Sequence, residues 1–168
     1  MQTRYIDFRG NPVPYDGASP VSWRISVHTV VTVEGSLLLM EPAYSEAFEL
    51  PSGEVLAGES LLDGATRECW EETGHAFQPI DPSPAYVGEQ WYFEDEDASF
   101  RHSLFFAWRG TVLPEPDPLW RPLAGETRRV IWLPTGDVRT AKIHPNHRRV
   151  LALLLPQPRC SPDRSTRR

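Results

Sequence analysis

Only two of the 168 residues are cysteine, Cys69 and Cys160. That is too few for a disulfide framework and fits no metal-ligand spacing, so a reducing, cytoplasmic setting is expected. No run of 18 apolar residues occurs anywhere, and the opening MQTRYIDFRGNPVPYDG lacks the apolar core of a secretory leader. Neither a membrane span nor an export signal is therefore expected. Clustered positive charge is missing too: 17 Lys and Arg against 23 Asp and Glu leave a net charge of -6. This is the wrong sign for general binding to a nucleic-acid backbone. A small phosphorylated substrate is not excluded, because bound cations supply positive charge locally.

What is present is ordinary globular material, 40% hydrophobic and 24% charged, long enough to bury one core. Residues 1–20, with turn signals at Arg9-Gly10-Asn11-Pro12 and Tyr15-Asp16-Gly17, read as a lead-in whose Tyr5, Ile6 and Phe8 form a short edge strand. Residues 21–155 read as the folded domain. Residues 156–168, polar and rich in Pro, Ser and Arg, read as a disordered tail.

The stretch Gly53–His75, GEVLAGESLLDGATRECWEETGH, organises the rest. Ser60 is a good N-cap with Asp63 three residues on, no proline follows before Thr73, and Gly74 is a natural C′ residue. A helix of about three and a half turns is expected. Leu62, Ala65, Cys69 and Thr73 then share a weakly apolar stripe, and Glu68, Glu71 and Glu72 fall side by side on a neighbouring face. Like charges so placed repel, and only Arg67 flanks them. A divalent cation would relieve the repulsion; the plainer alternative is a solvated acidic face.

The segment in front of the helix argues against the plain alternative. Gly53, Glu59, Arg67, Glu68, Glu71, Glu72 and Gly74 stand at the spacing G-x5-E-x7-R-E-U-x-E-E-x-G-U, an agreement that chance gives on the order of once in 10⁸ starting points. This spacing resembles the signature of the Nudix (MutT-like) hydrolases. It departs from the pattern at Cys69, a small residue where a large aliphatic is usual, and at His75, a polar one where an apolar residue is usual. Ala76 or Phe77 can supply the apolar contact that His75 lacks.

The resemblance implies an α/β fold: a Nudix-type α/β/α sandwich with a central mixed β-sheet and a catalytic loop-helix-loop. It also implies hydrolysis of a nucleoside diphosphate linked to another moiety, with Mg²⁺ or Mn²⁺ as cofactor. Carried over by position, Glu68 and Glu72 are implied as direct metal ligands, Glu71 as a direct or water-mediated one, and the Gly53 carbonyl as a backbone ligand. Arg67 suits an organiser that fixes Glu59 and holds the loop on the helix. Glu126, shortly before a strand that ends in Trp, stands where some relatives place a metal-binding or general-base carboxylate. A nucleotide is the expected partner, with no nucleic acid and no membrane, and the chain is expected to be a monomer or homodimer. Two other readings are a catalytically silent nucleotide sensor, which predicts lost carboxylates, and an isomerase of isoprenoid diphosphates, which needs a cysteine and metal-binding histidines elsewhere.

The flanks read as sheet. Val21–Val33 is a strand by its β-branched near-alternation, and Glu34-Gly35 turns it into Leu37–Met40. Ala47–Leu50 reads as a short strand that delivers Ser52, a candidate phosphate neighbour, to the signature. Phe77–Pro84 reads as irregular. Ala85–Phe93 and Phe100–Trp108 read as a hairpin whose acidic tip, Glu94 to Asp97, is a solvated turn or an extra cation site. Tyr86, Trp91 and Tyr92 on that hairpin are candidates for stacking on a base, of which one is expected to reach substrate. Thr111–Leu123 reads as a loop, and Arg128–Leu133 as a strand. Pro145–Leu155 reads as a last helix. His28 reads as structural, and His144 and His147 as capping or exposed, with a metal pair the alternative.

Overall fold

The β-branched run over Val21–Val33 forms a strand, β3, with those same ends, and the sheet is built outward from it. The computed structural model describes residues 4–95, 97–113, 115–122 and 126–155. The other strands are β1 (Arg4–Asp7), β2 (Pro12–Pro14), β4 (Ser36–Pro42), β5 (Ser52–Glu54), β6 (Phe77–Pro79), β7 (Tyr86–Glu94), β8 (Ser99–Val112) and β9 (Thr127–Pro134). The helices are α1 (Leu61–Thr73) and α2 (Pro145–Leu154). The strand order is β2-β1-β7-β8-β3-β4-β9, with β5 added to β3 and β6 to β8. Two pairings, β1 with β7 and β3 with β8, are parallel, and β7 with β8 and β4 with β9 are antiparallel, so the sheet is mixed.

The site exists because this sheet forks. β3 and β4 pair only at Thr32–Leu37 and Val33–Ser36, beside a turn in which Glu34 (φ 47°) and Gly35 (φ 79°) are both left-handed, the geometry that suits the twist of a hairpin. Beyond the turn β4 swings to β9, and the exposed edge of β3 is taken by β5 at Ser26, Val27 and His28. The fork thus places the start of the signature directly against β3.

Alternation along the strands makes two cores. Val27 and Val31 of β3, with Leu38, Phe77, Trp108 and Val112, pack on Ala65 and Cys69 of α1. Val30, with Leu37, Leu39, Phe105 and Ala107, packs on Val150 and Leu151 of α2. One helix covers each face, so the α/β/α sandwich is the observed architecture. Among the described residues no helix is long and apolar enough to cross a membrane.

Several local expectations are corrected. Ala47–Leu50 is not a strand: it makes only isolated bridges, Met40 to Glu49 and Phe48 to Ile143. Pro51, with no N–H, ends that ladder, and regular pairing starts at Ser52. The start of Phe77–Pro84 is a strand, β6, with Pro79 at its far end, and its pairing lengthens β8 to Val112. The outermost strand of the lead-in is β2. β1 lies inside it and pairs β7, with Tyr5 buried against Phe100. The acidic tip is clamped by arginines, Asp95 to Arg9 at 3.0 Å and Asp97 to Arg101. Glu96, residues 156–168 and Cys160 lie outside the described residues.

Candidate active site

Helix α1 starts and stops where local chemistry dictates. The Ser60 hydroxyl oxygen accepts the Asp63 N–H at 3.1 Å, and its O–H donates to the Asp63 carboxylate at 2.7 Å. Gly74 ends the helix at φ 75°, which glycine adopts without strain. The end is also roofed: a Cβ on Gly74 would lie 2.7 Å from Trp120 Cδ2, the Trp120 indole N–H donates to the Glu71 carbonyl at 2.9 Å, and the Asp117 N–H donates to the Gly74 carbonyl at 2.8 Å. Trp120 sits in a proline-rich loop with no periodicity, and sequence reasoning missed it. Cys69 is wholly buried, and burial pushes its thiol up to about 11. Just past the helix His75 is buried too, with a ring nitrogen 3.2 Å from the Leu113 carbonyl and the ring edge-on to Trp132.

Arg67 joins loop to helix. Its Nε and Nη2 donate to the two Glu59 oxygens at 3.1 and 2.7 Å, and Nη1 donates to Glu68 and Glu71 at 2.8 Å each. Nη2 also reaches the Glu54 carbonyl at 2.9 Å. The Arg67 hydrogen bonds, with a further one from the Leu56 N–H, hold the Glu59 carboxyl below its ordinary range. Arg67→Ala is expected to cost about 2–3 kcal/mol, because three carboxylates lose a charged donor at once. That is a fall in melting temperature of about 5–10 °C. Arg67→Lys should recover only part, since one ammonium cannot take up the forked pattern. A melt in which Arg67→Ala matches the parent would remove the organising role.

Glu72 faces away from Arg67. The Ser52 N–H donates to its carboxylate at 2.8 Å, and desolvation pushes its pKa well above the ordinary value, with Glu68, Glu49 and Glu126 adding to the rise. Burial also raises Glu68, against the opposing effect of Arg67. Glu68 lies over the backbone of Gly53, and a side chain there would overlap its carboxylate. The donors fit a hard divalent cation: two adjacent carboxylates with disfavoured charge, over a backbone kept bare by glycine. Among the described residues no three His, Cys, Asp or Glu side chains converge on one point as they stand, because Arg67 draws Glu68 and Glu71 to itself.

Gly53, Ser52 and Glu72 form one wall of a cavity of about 170 Å³ that runs to β1, β7 and the start of α2. Of the three hairpin aromatics only Tyr92 lines it. Tyr86 packs on Phe105 beside the α2 core, and Trp91 stacks on His102 with ring centroids 4.8 Å apart, on the opposite face of β7 from Tyr92. Glu126 precedes β9 with its side chain exposed, and its carbonyl accepts the Ala43 N–H at 2.8 Å. The histidines are a correction. His144 does cap α2, but neither it nor His147 is exposed: both are buried, and with His28 and Glu49 they line the cavity. His28 and Glu49 come from separate segments, and no spacing joins either to the His144 and His147 pair.

The NUDIX domain family model matches residues 22–154. Phosphatase NudJ of Escherichia coli K12 is 39% identical over 57 residues, which are 33% of this chain and 37% of that protein. The chain thus spans little more than a third of the curated relatives it matches. Among solved structures, a NUDIX hydrolase from Nitrosomonas europaea aligns with a TM-score of 0.62 at 23% identity, covering 78% of this chain and 87% of that one. A MutT NUDIX hydrolase from Burkholderia pseudomallei aligns at 0.59 and 16% identity over 79% and 98%. A MutT protein from Methanosarcina mazei Go1 aligns at 0.56 and 25% identity over 79% and 91%. The family match takes in both core layers and the whole of the Gly53–His75 stretch, and this chain belongs to the NUDIX domain family.

Proposed function

We propose that the chain hydrolyses a pyrophosphate bond in a nucleoside diphosphate linked to a further group, releasing a nucleoside monophosphate. One observation carries this reading: Glu72, its charge disfavoured by desolvation, opens into a cavity beside Glu68 and the bare backbone of Gly53. Glu68, Glu72 and the Gly53 carbonyl would hold Mg²⁺ or Mn²⁺, with Glu71 joining on release from Arg67. The ion supplies charge neutralisation on phosphate oxygens and a lowered pKa of coordinated water. The chain's own groups do the rest. The Ser52 N–H fixes the Glu72 carboxylate, Arg67 holds the loop to the helix, and Glu126 is the candidate base, exposed at the loop before β9.

The name phosphatase carried by the Escherichia coli relative supports hydrolysis of a phosphate bond. All the signature carboxylates are in place, which disfavours a silent sensor. Among the described residues the isomerase reading finds no accessible thiol, since Cys69 is sealed in the core. The test is a panel of nucleoside di- and triphosphates, nucleotide sugars and dinucleoside polyphosphates, assayed for phosphate or monophosphate release with Mg²⁺ or Mn²⁺. Turnover of at least one member, abolished by a chelator and restored by excess metal, is expected. Turnover that persists in the chelator would refute the metal-held mechanism, and no turnover across the panel would refute the hydrolase reading.

A further inference from the structure

The last turn of α1 is the part of the helix with least reason to stay wound. It carries Glu71 and Glu72 at the carbonyl end, where the helix dipole repels carboxylates, and it has no basic residue to answer them. Its backbone has also lost a donor. The Gly74 N–H closes the final bond, to the Trp70 carbonyl at 2.8 Å, and left-handed Gly74 then turns the chain so that the His75 N–H goes to the Thr73 hydroxyl at 3.3 Å. In a continuing helix that N–H would have met the Glu71 carbonyl.

The loop from β8 to β9 supplies what is missing. The Trp120 indole N–H donates to the Glu71 carbonyl at 2.9 Å, and the Asp117 N–H donates to the Gly74 carbonyl at 2.8 Å. Between these two anchors the loop is braced as a turn. The Trp120 N–H donates to the Asp117 carbonyl at 2.9 Å, and the Leu119 N–H to the Asp117 carboxylate at 2.8 Å. Only glycine leaves room at position 74 for the indole.

Glu71 is therefore held from two sides: Arg67 Nη1 takes its carboxylate at 2.8 Å, and Trp120 takes its carbonyl. For Glu71 to join a divalent cation its side chain must leave Arg67, and a turn free to fray would let the backbone follow. With the carbonyl anchored, the exchange is a rotation about side-chain bonds, and the carboxylate arrives at a fixed place.

We propose that Trp120 is a positioning residue of the active site, whose indole N–H anchors the Glu71 backbone so that the Glu71 carboxylate passes from Arg67 to a divalent cation without unwinding the helix. Its effect on turnover rests on the hydrolase reading; its effect on the helix and on metal binding does not.

The test is Trp120→Phe, which keeps an aromatic ring over Gly74 and removes the indole N–H. In metal-free protein the Gly74 amide should exchange with deuterium about tenfold faster or more, while the Cys69 amide keeps the parent rate and the melting temperature falls by only a few degrees. Well below the melt, Mn²⁺ affinity read by electron paramagnetic resonance should fall by about tenfold, and kcat on the preferred nucleotide with Mg²⁺ by a similar factor with KM held. A residue kept for packing alone would lower the melting temperature and leave affinity and kcat in place. In a Glu71→Ala background the same substitution should cost less than about twofold more in either quantity, because the carboxylate it positions is gone. An unchanged Gly74 exchange rate, parent-like Mn²⁺ affinity and kcat, or losses that multiply with those of Glu71→Ala would each overturn the positioning role and leave metal-dependent hydrolysis standing. Coupled loss of Mn²⁺ affinity in a protein that hydrolyses none of the nucleotides keeps the positioning role and removes the hydrolase reading.

Discussion

Glu72→Gln is expected to lower kcat for the preferred nucleotide by about 10³-fold or more, equivalent to ~4 kcal/mol in the barrier, with KM changed only a few fold. The substitution keeps shape and keeps an oxygen to accept the Ser52 N–H, so the β5 backbone has no reason to move. What it removes is the charge. That charge is held at a cost, because desolvation and the neighbouring carboxylates all raise the Glu72 pKa, and nothing but a cation in the cavity makes good use of it. Stability should respond in the opposite sense to activity. Without metal the Gln variant should melt at or above the parent, since a strained carboxylate has gone. The rise in melting temperature that Mg²⁺ gives the parent should shrink in the variant. Turnover within a few fold of the parent would show that the metal is held elsewhere. A full loss of turnover with an unchanged Mg²⁺ shift would make Glu72 a base rather than a ligand.

What could be read from the sequence were the features set by near neighbours. Both ends of α1 were legible because Ser60 and Gly74 act within one turn, and both ends of β3 because β-branched residues recur in near-alternation between turn signals. The Arg67–Glu59 link was legible from residue type and spacing. The strand period of two places Trp91 and Tyr92 on opposite faces, but which of them meets the cavity depends on the pairing of β7 with β1 and β8, and no local pattern carries that. The cavity floor is harder still. His28 sits in a strand, Glu49 in an irregular segment, and His144 and His147 at the start of α2, and only the fork between β3 and β4 brings them together. Trp120 shows the same limit, since a loop without periodicity gives no hint that it caps the helix it never adjoins in sequence.

Gly53→Ala is expected to reduce activity by about 10²-fold or more while moving the melting temperature by only a few degrees. The backbone at Gly53 is not left-handed and pairs with Val27 of β3, so alanine meets no conformational barrier there, and the stiffer unfolded chain contributes a gain of about 0.4–1 kcal/mol. The obstacle is steric: the added methyl would overlap the Glu68 carboxylate. That group is the far end of a flexible side chain, so the cheap escape is a rotation that takes Glu68 off Gly53 and out of ligand position. Function then falls through displacement of one carboxylate, not through unfolding. The cost should therefore be shared with Glu68 itself. Gly53→Ala should weaken Mn²⁺ binding, read by electron paramagnetic resonance, by about the same factor as Glu68→Ala, and the double variant should be little worse than either single one. Independent losses that multiply in the double variant would mean that Gly53 acts on its own account, through its carbonyl or through the space it leaves for phosphate, and not by making room for Glu68.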